Sequence, residues 1–188
     1  MRGPPNRSIL AGGGNAMATT AATSAPPRSK ISLKPELFDR ILSAAALILL
    51  AFVFTALWRG RGEWSEVPGF VWGHIATIVL AVILTPVMLL RRRGDRLHRR
   101  LGWVWVASMA LTAILTFWIR GINQGSLSWI HILSAWTLVQ VPLIVWSARA
   151  HNHRQHRNAV RGMVAGALII AGIFTFPFDR LLGHWLFG

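Results

Sequence analysis

Four histidines in this chain fall into two spaced pairs. His74 and His131 each open an apolar run, in Trp72-Gly73-His74-Ile75 and Trp129-Ile130-His131-Ile132. His98 and His156 each stand just ahead of one, in His98-Arg99 and His156-Arg157. Neutral imidazole is a good axial ligand for haem iron. Two imidazoles on facing helices can hold one haem b in a helical bundle without any cysteine. Two such pairs, one near each face of a bilayer, would form a path for electrons across it. The four ring nitrogens are thus candidate cofactor and iron ligands, with no catalytic residue among them. Each position also has a plainer use. His74 and His131 suit an interfacial histidine bonded to water or a loop carbonyl. His98 and His156 suit a solvated basic turn or a lipid-headgroup contact. His151 and His153 are alternative ligands or simply polar turn residues, and His184 has no counterpart elsewhere in the chain.

The elements that must position these rings are helices in lipid. Of 188 residues, 53% are apolar and only 14% charged, too few charges to cover a soluble domain of this size. Five apolar stretches run about Ile41–Trp58, Phe70–Leu90, Leu101–Ile119, Leu127–Ala148 and Gly162–Phe178, with no Asp, Glu, Lys or Arg inside them. A helix needs about 20 residues to cross the hydrocarbon core, and lipid forces the backbone to satisfy itself. The expectation is an all-α membrane protein with five transmembrane helices. Pro86 and Pro142 should kink two of them. Residues 1–35 are rich in Gly, Ala, Ser, Thr and Pro and read as a disordered tail ahead of a transmembrane domain at 36–188. No apolar core follows Arg2 and Arg7, so the tail does not read as a secretory signal, and Met17 is a second candidate start.

Charge sets the expected orientation. Sixteen Lys and Arg residues fall on the side of the tail and the second and fourth loops, and four on the other. The basic side is therefore read as cytoplasmic, which puts the C-terminus outside. Trp58, Trp64, Trp72, Trp118, Trp129 and Trp185 would form an aromatic belt on the far face. The net charge of +14 flanks apolar stretches and builds no separate basic domain, which favours membrane lipid over nucleic acid as partner. Arg91, Arg92, Arg93, Arg99 and Arg100 would each draw anionic lipid at ~1 kcal/mol, or would dock an anionic electron donor. With no cysteine, disulfides and thiolate metal sites are excluded. No carboxylate lies in a span, which argues against a proton-coupled transporter, and no hydrolytic triad is visible. Gly12-Gly13-Gly14 has no following Lys-Ser/Thr and is no phosphate loop.

The second and third stretches resemble the fourth and fifth. Matching elements lie 57, 58, 60 and 59 residues apart, from Trp72/Trp129 and His98/His156 to Gly102/Gly162 and Thr116/Thr175. Helices 2–5 would then form a four-helix bundle made from two parallel hairpin repeats about an axis along the membrane normal. His74 would share a level with His131, and His98 with His156, the levels about 24 Å apart at 1.5 Å per residue. Thr77, Ala81, Thr85, Ser134, Ala135, Gly162 and Gly166 leave room for a flat ring, though small residues also serve helix packing.

Several of these strings carry a resemblance. Gly73-His74-Ile75, Leu97-His98-Arg99-Arg100-Leu101-Gly102-Trp103, Ile130-His131-Ile132-Leu133, Ala171-Gly172-Ile173-Phe174-Thr175-Phe176 and Asp179-Arg180-Leu181-Leu182-Gly183 resemble a family of bacterial predicted integral membrane proteins of unknown function. The similarity covers roughly residues 40–188, and His-Arg-Arg-Leu-Gly is its most specific part. That family often has Pro-Gly-Arg where this chain has Phe178-Asp179-Arg180. A more distant resemblance is to the di-haem transmembrane b-type cytochromes, ascorbate-dependent and ferric reductases among them. It implies His74 with His131 on one haem, His98 with His156 on the other, and a bacterial plasma membrane setting. The intervals of 24 and 25 residues within each hairpin are shorter than that group's. The leading expectation is a b-type haem protein for transmembrane electron transfer, fed by a quinol or another reduced donor. The alternatives are a non-catalytic, lipid-binding subunit of a larger membrane complex, or a binder of a small molecule or pigment.

Overall fold

Three of the helices begin where a short polar side chain binds a backbone N–H near the start, and one follows a proline. In the computed structural model, which describes residues 35–91, 94–119, 129–177 and 180–188, Asp39 accepts from the Glu36 N–H at 2.9 Å and opens α1, Leu37–Arg59. A 3-10 turn at Gly60–Glu66 reverses the chain, and Pro68 leads into α2, Gly69–Leu90. Asp95 caps α3, Arg96–Thr116, by accepting from the His98 N–H at 2.6 Å. After α4, Trp129–Arg149, Asn152 accepts from the Gln155 N–H at 3.1 Å and starts α5, His153–Met163. That helix runs on through a π-helical stretch, Val164–Ile170, into the single turn α6, Ala171–Ile173, and a short α7 closes the chain at Leu181–Phe187.

The described residues are all helix, turn and coil, with no strand. Three segments are long and apolar enough to cross a membrane: Leu37–Glu66, Gly69–Leu90 and Ile130–Arg149. The other two differ for a visible reason. α3 opens with Arg96-Leu97-His98-Arg99-Arg100, and α5 with His153-Arg154-Gln155-His156-Arg157, so both begin in a polar medium. The fifth helix therefore starts nine residues before the apolar stretch at Gly162, because its beginning is set by the Asn152 cap. Large apolar side chains face outward along the spans, Ile48 at 59% and Val139 at 61% exposure among them. Contiguous apolar surface of this kind belongs against lipid or a protein partner. Residues 1–34, which hold nearly all of the expected tail, lie outside the described residues.

Cross-helix contacts fix the topology. Thr77 meets Thr112 and Thr85 meets Trp105, so α2 and α3 are antiparallel. The Arg149 guanidinium lies 5.6 Å from the Trp103 ring and His131 lies 5.7 Å from Phe117, so α3 and α4 are antiparallel too. His156 contacts Ile144 and Gly166 faces Trp136, which reverses the direction again. Asp39 meets Arg161, Leu49 meets Gly172 and Phe52 meets Phe176, so the fifth helix runs parallel to α1. The start of α1 and the α2–α3 and α4–α5 turns thus share one end of the bundle, and with them its described Arg residues from Arg40 to Arg161 except Arg59 and Arg61. The core runs between the helices as Ala46, Leu49, Val82, Trp105, Met109, Ile144, Met163 and Leu168.

Candidate functional site

α3 packs against both α2 and α4, the π-helical stretch also touches both, and α2 and α4 meet each other little. They are diagonal neighbours across α3. His74, in the second turn of α2, turns its ring onto the last turns of α3. Its Nδ1 is 3.2 Å from the Thr112 carbonyl and 3.3 Å from the Thr116 hydroxyl. A carbonyl only accepts, so Nδ1 carries the proton and Nε2 holds the lone pair. The Thr112 hydroxyl in turn donates to Thr77 at 2.8 Å, one turn along from His74. A polar seam of His74, Thr77, Thr112 and Thr116 thus joins α2 to α3, with the Trp105–Thr85 bond two turns further along α2.

His131, buried on α4, packs against Phe117 at the end of the same α3. Both rings of the expected outer pair therefore stand at the level of the last two turns of α3, on the two helices that flank it. The other two histidines stand at the opposite, basic end. His98 lies in the first turn of α3, half-buried, with its N–H on Asp95. His156 lies in the first turn of α5, and its Nδ1 is 3.1 Å from the Ile144 carbonyl of α4, which again assigns the lone pair to Nε2. Carbonyl-anchored Nδ1–H is the usual support of a ligating imidazole. His184 lies near the far end on α7, beside a cleft with Arg59 and Glu63. His151 and His153 are exposed at the basic turn, His151 at φ 53°.

Other expectations change in the structure. Gly166 does not open space, because the Trp136 ring fills it with its Cζ3 and Cη2 3.5 Å from where a Cβ would stand. Trp185 is no member of an aromatic belt. It is buried over Gly60, and its Nε1 donates to Glu63 at 2.9 Å. Trp58 and Trp118 do face outward.

Two groups of charges were missed in the sequence. Glu36 and Asp39 at the start of α1 bind Arg157 and Arg161 of α5. Arg161 donates to Asp39 at 2.7 Å and to Glu36 at 2.9 Å, and Arg157 pairs with Glu36 as well. Asp39 is fully buried. The Arg161 guanidinium holds the Glu36 carboxyl below its ordinary value, with Arg157 adding to the effect. In the α2–α3 turn Arg91 binds Asp95 through Nε and Nη2 at 3.0 and 2.7 Å. That bond, with the His98 N–H, lowers the Asp95 carboxyl. The expected lipid contact at Arg91 thus gives way in part to an ion pair inside the fold. The Glu36, Asp39, Arg157 and Arg161 group joins residues more than a hundred positions apart on parallel helices and is visible only once the topology is known, whereas Arg91 and Asp95 stand four residues apart and could have been paired from spacing alone.

Compared with known protein families, with curated proteins and with solved structures, the chain finds no match in any of the three. The chemistry assigned to these residues therefore rests on their own arrangement.

Proposed function

We propose that the chain is a five-span plasma-membrane protein that binds b-type haem and passes electrons across or within the bilayer. The observation that carries this reading is the tethering of His74 and His156. Each imidazole gives its Nδ1 proton to a backbone carbonyl of a neighbouring helix, which leaves Nε2 as the basic nitrogen that iron requires. The donor set fits the group: neutral imidazoles, no competing thiolate, and apolar walls. His74 with His131 would hold haem at the arginine-poor far end, and His98 with His156 at the basic end. Bound haem would supply a one-electron couple. The chain's own work would be to hold the Nδ1 protons, fix ring orientation through Thr112 and Ile144, and keep water away with Phe117 and the core side chains. The basic end reads as cytoplasmic, where a quinol or another reduced donor would act. The likeness between the two hairpins supports the two-tier arrangement, since both present a histidine at each end.

The test is a visible spectrum, oxidised and reduced, of the full chain purified from haem-replete cells. A Soret band should be present and should fall by about half in His74→Ala or in His156→Ala, because each variant removes a ligand from one of two sites. A wild-type protein that purifies colourless overturns the reading.

A further inference from the structure

A cleft of about 480 Å³ opens at the basic end between α4 and α5. Its lining is polar where the helices face lipid: Gln140, Asn152, Arg154, Gln155 and Asn158, with Leu143 on the α4 side. None of these residues is acidic. Arg154 makes no ion pair among the described residues, in contrast to Arg91, Arg157 and Arg161 on the same end. Asn152 and Gln155 hold each other in place, the Asn152 amide donating to Gln155 at 3.0 Å, so the lip is built before anything binds.

Depth decides what the cleft suits. Gln140 lies nine residues ahead of Arg149, about 13 Å inside the end of α4 at 1.5 Å per residue. A primary amide facing hydrocarbon at that depth is costly unless it meets a polar partner. Arg154 sits nearer the end, at the level where headgroups lie. Below the cleft the outer stripe of α4 is apolar, with Val139 and Ile132 each 61% exposed. The order along the surface is therefore cation, amides, hydrocarbon. That is the order of phosphate, glycerol ester and acyl chain in a phospholipid.

We infer that this cleft is a binding site for one anionic phospholipid of the basic-side leaflet. Arg154 holds the phosphate, Asn158 and Gln140 meet the glycerol and ester oxygens, and the acyl chain follows Leu143, Val139 and Ile132. The site is independent of haem and stands or falls separately from it.

The test uses the full chain in neutral detergent, with phosphatidylglycerol, phosphatidylcholine and inorganic phosphate as probes and retained lipid counted by native mass spectrometry. Wild type should keep one phosphatidylglycerol in preference to phosphatidylcholine. Arg154→Gln should weaken it about fivefold, the worth of one arginine–phosphate contact, and adding Asn158→Leu should weaken it further. Arg96→Gln, at an exposed arginine of the same end outside the cleft, should leave it unchanged. Equal loss in Arg96→Gln, equal retention of both lipids, or displacement by inorganic phosphate would each overturn the proposal. The melting temperature of each variant in lipid-free detergent checks the fold. Arg154 has no partner to lose, so Arg154→Gln should match wild type there.

Discussion

Removing Arg161 should destabilise this protein far more than removing its neighbour Arg157. Arg161 bonds to both Glu36 and Asp39, and the Asp39 side chain is wholly out of contact with solvent. In Arg161→Met that carboxylate loses its counter-ion while its backbone surroundings stay closed. Breaking a buried pair from one side costs roughly 3–5 kcal/mol. Arg161 keeps 14% of its side-chain surface exposed, so the low end, about 3 kcal/mol, applies. For a chain of this length that is a fall of roughly 6–12 °C in melting temperature. Among the described residues Arg157 pairs only with Glu36, whose side chain is 41% exposed, and water competes for such pairs until little net gain remains. Differential scanning fluorimetry in one detergent, following the abundant tryptophans, compares the two. A control separates charge from packing: Asp39→Leu with Arg161→Met replaces the pair by apolar side chains and should recover most of the loss. If Arg157→Met melts as low as Arg161→Met, or if the double variant is no better than Arg161→Met alone, the buried-clamp reasoning is wrong.

Thr112→Val should cost about 0.6 kcal/mol, the average for one hydroxyl bond between helices in lipid, and should shift the histidine NMR signal of His74 more than that of His131. Thr85→Val strands the buried Trp105 Nε1, now 3.0 Å from the Thr85 hydroxyl, and should cost about 1–3 kcal/mol in the same melt, whereas Trp105→Phe/Thr85→Val should regain part of it. Gly60→Ala drives a Cβ into the Trp185 indole and should release α7, read as faster proteolysis after residue 180 and a loss of about 1–3 kcal/mol. Lowering the pH should weaken the fold from the acid side. Glu36 is held below its ordinary value of 4.5 chiefly by Arg161, and Asp95 below 3.8 chiefly by Arg91. The unfolded chain therefore takes up those protons first, and the stability both groups contribute is intact above these values and lost as pH falls past them. A melting series from neutral pH down to about pH 2.5 reads this, and a flat profile below about pH 4 would count against the two ion pairs.

Three of the five expected spans were legible because hydropathy is a local property. The stretches at 41–58 and 70–90 lie within α1 and α2, whose true ends are set by Glu36, Pro68 and Arg91 within a few residues. Helix ends in polar sequence were harder. α5 begins at His153, deep in a basic turn, because Asn152 supplies a cap that no apolar count registers. The π-helical stretch at Val164–Ile170 and the seven-residue α7 were not legible at all. The first has ordinary helix composition, and the second is held by contacts from Arg59 and Glu63 rather than by its own propensity, the Arg59 guanidinium donating to the Leu186 carbonyl at 2.7 Å.

The histidines show the same division between local and distant information. That His74 and His131 stand at one end of the bundle and His98 and His156 at the other could be expected from counting residues along the helices. What anchors each ring could not. His74 is held by Thr112, 38 residues away, and His156 by Ile144, 12 residues away across a turn. The first of these depends on α2 and α3 sharing a register in which Thr77 faces Thr112 and Thr85 faces Trp105. A slip of one residue would rotate Thr112 by about 100° around its helix and leave the His74 Nδ1 proton without its carbonyl. The polar seam between α2 and α3 therefore does two things at once. It specifies the register of the hairpin, and it sets which nitrogen of His74 carries the proton. Any variant that loosens the Thr77–Thr112 bond should accordingly change where that proton sits on His74 before it unfolds the helices.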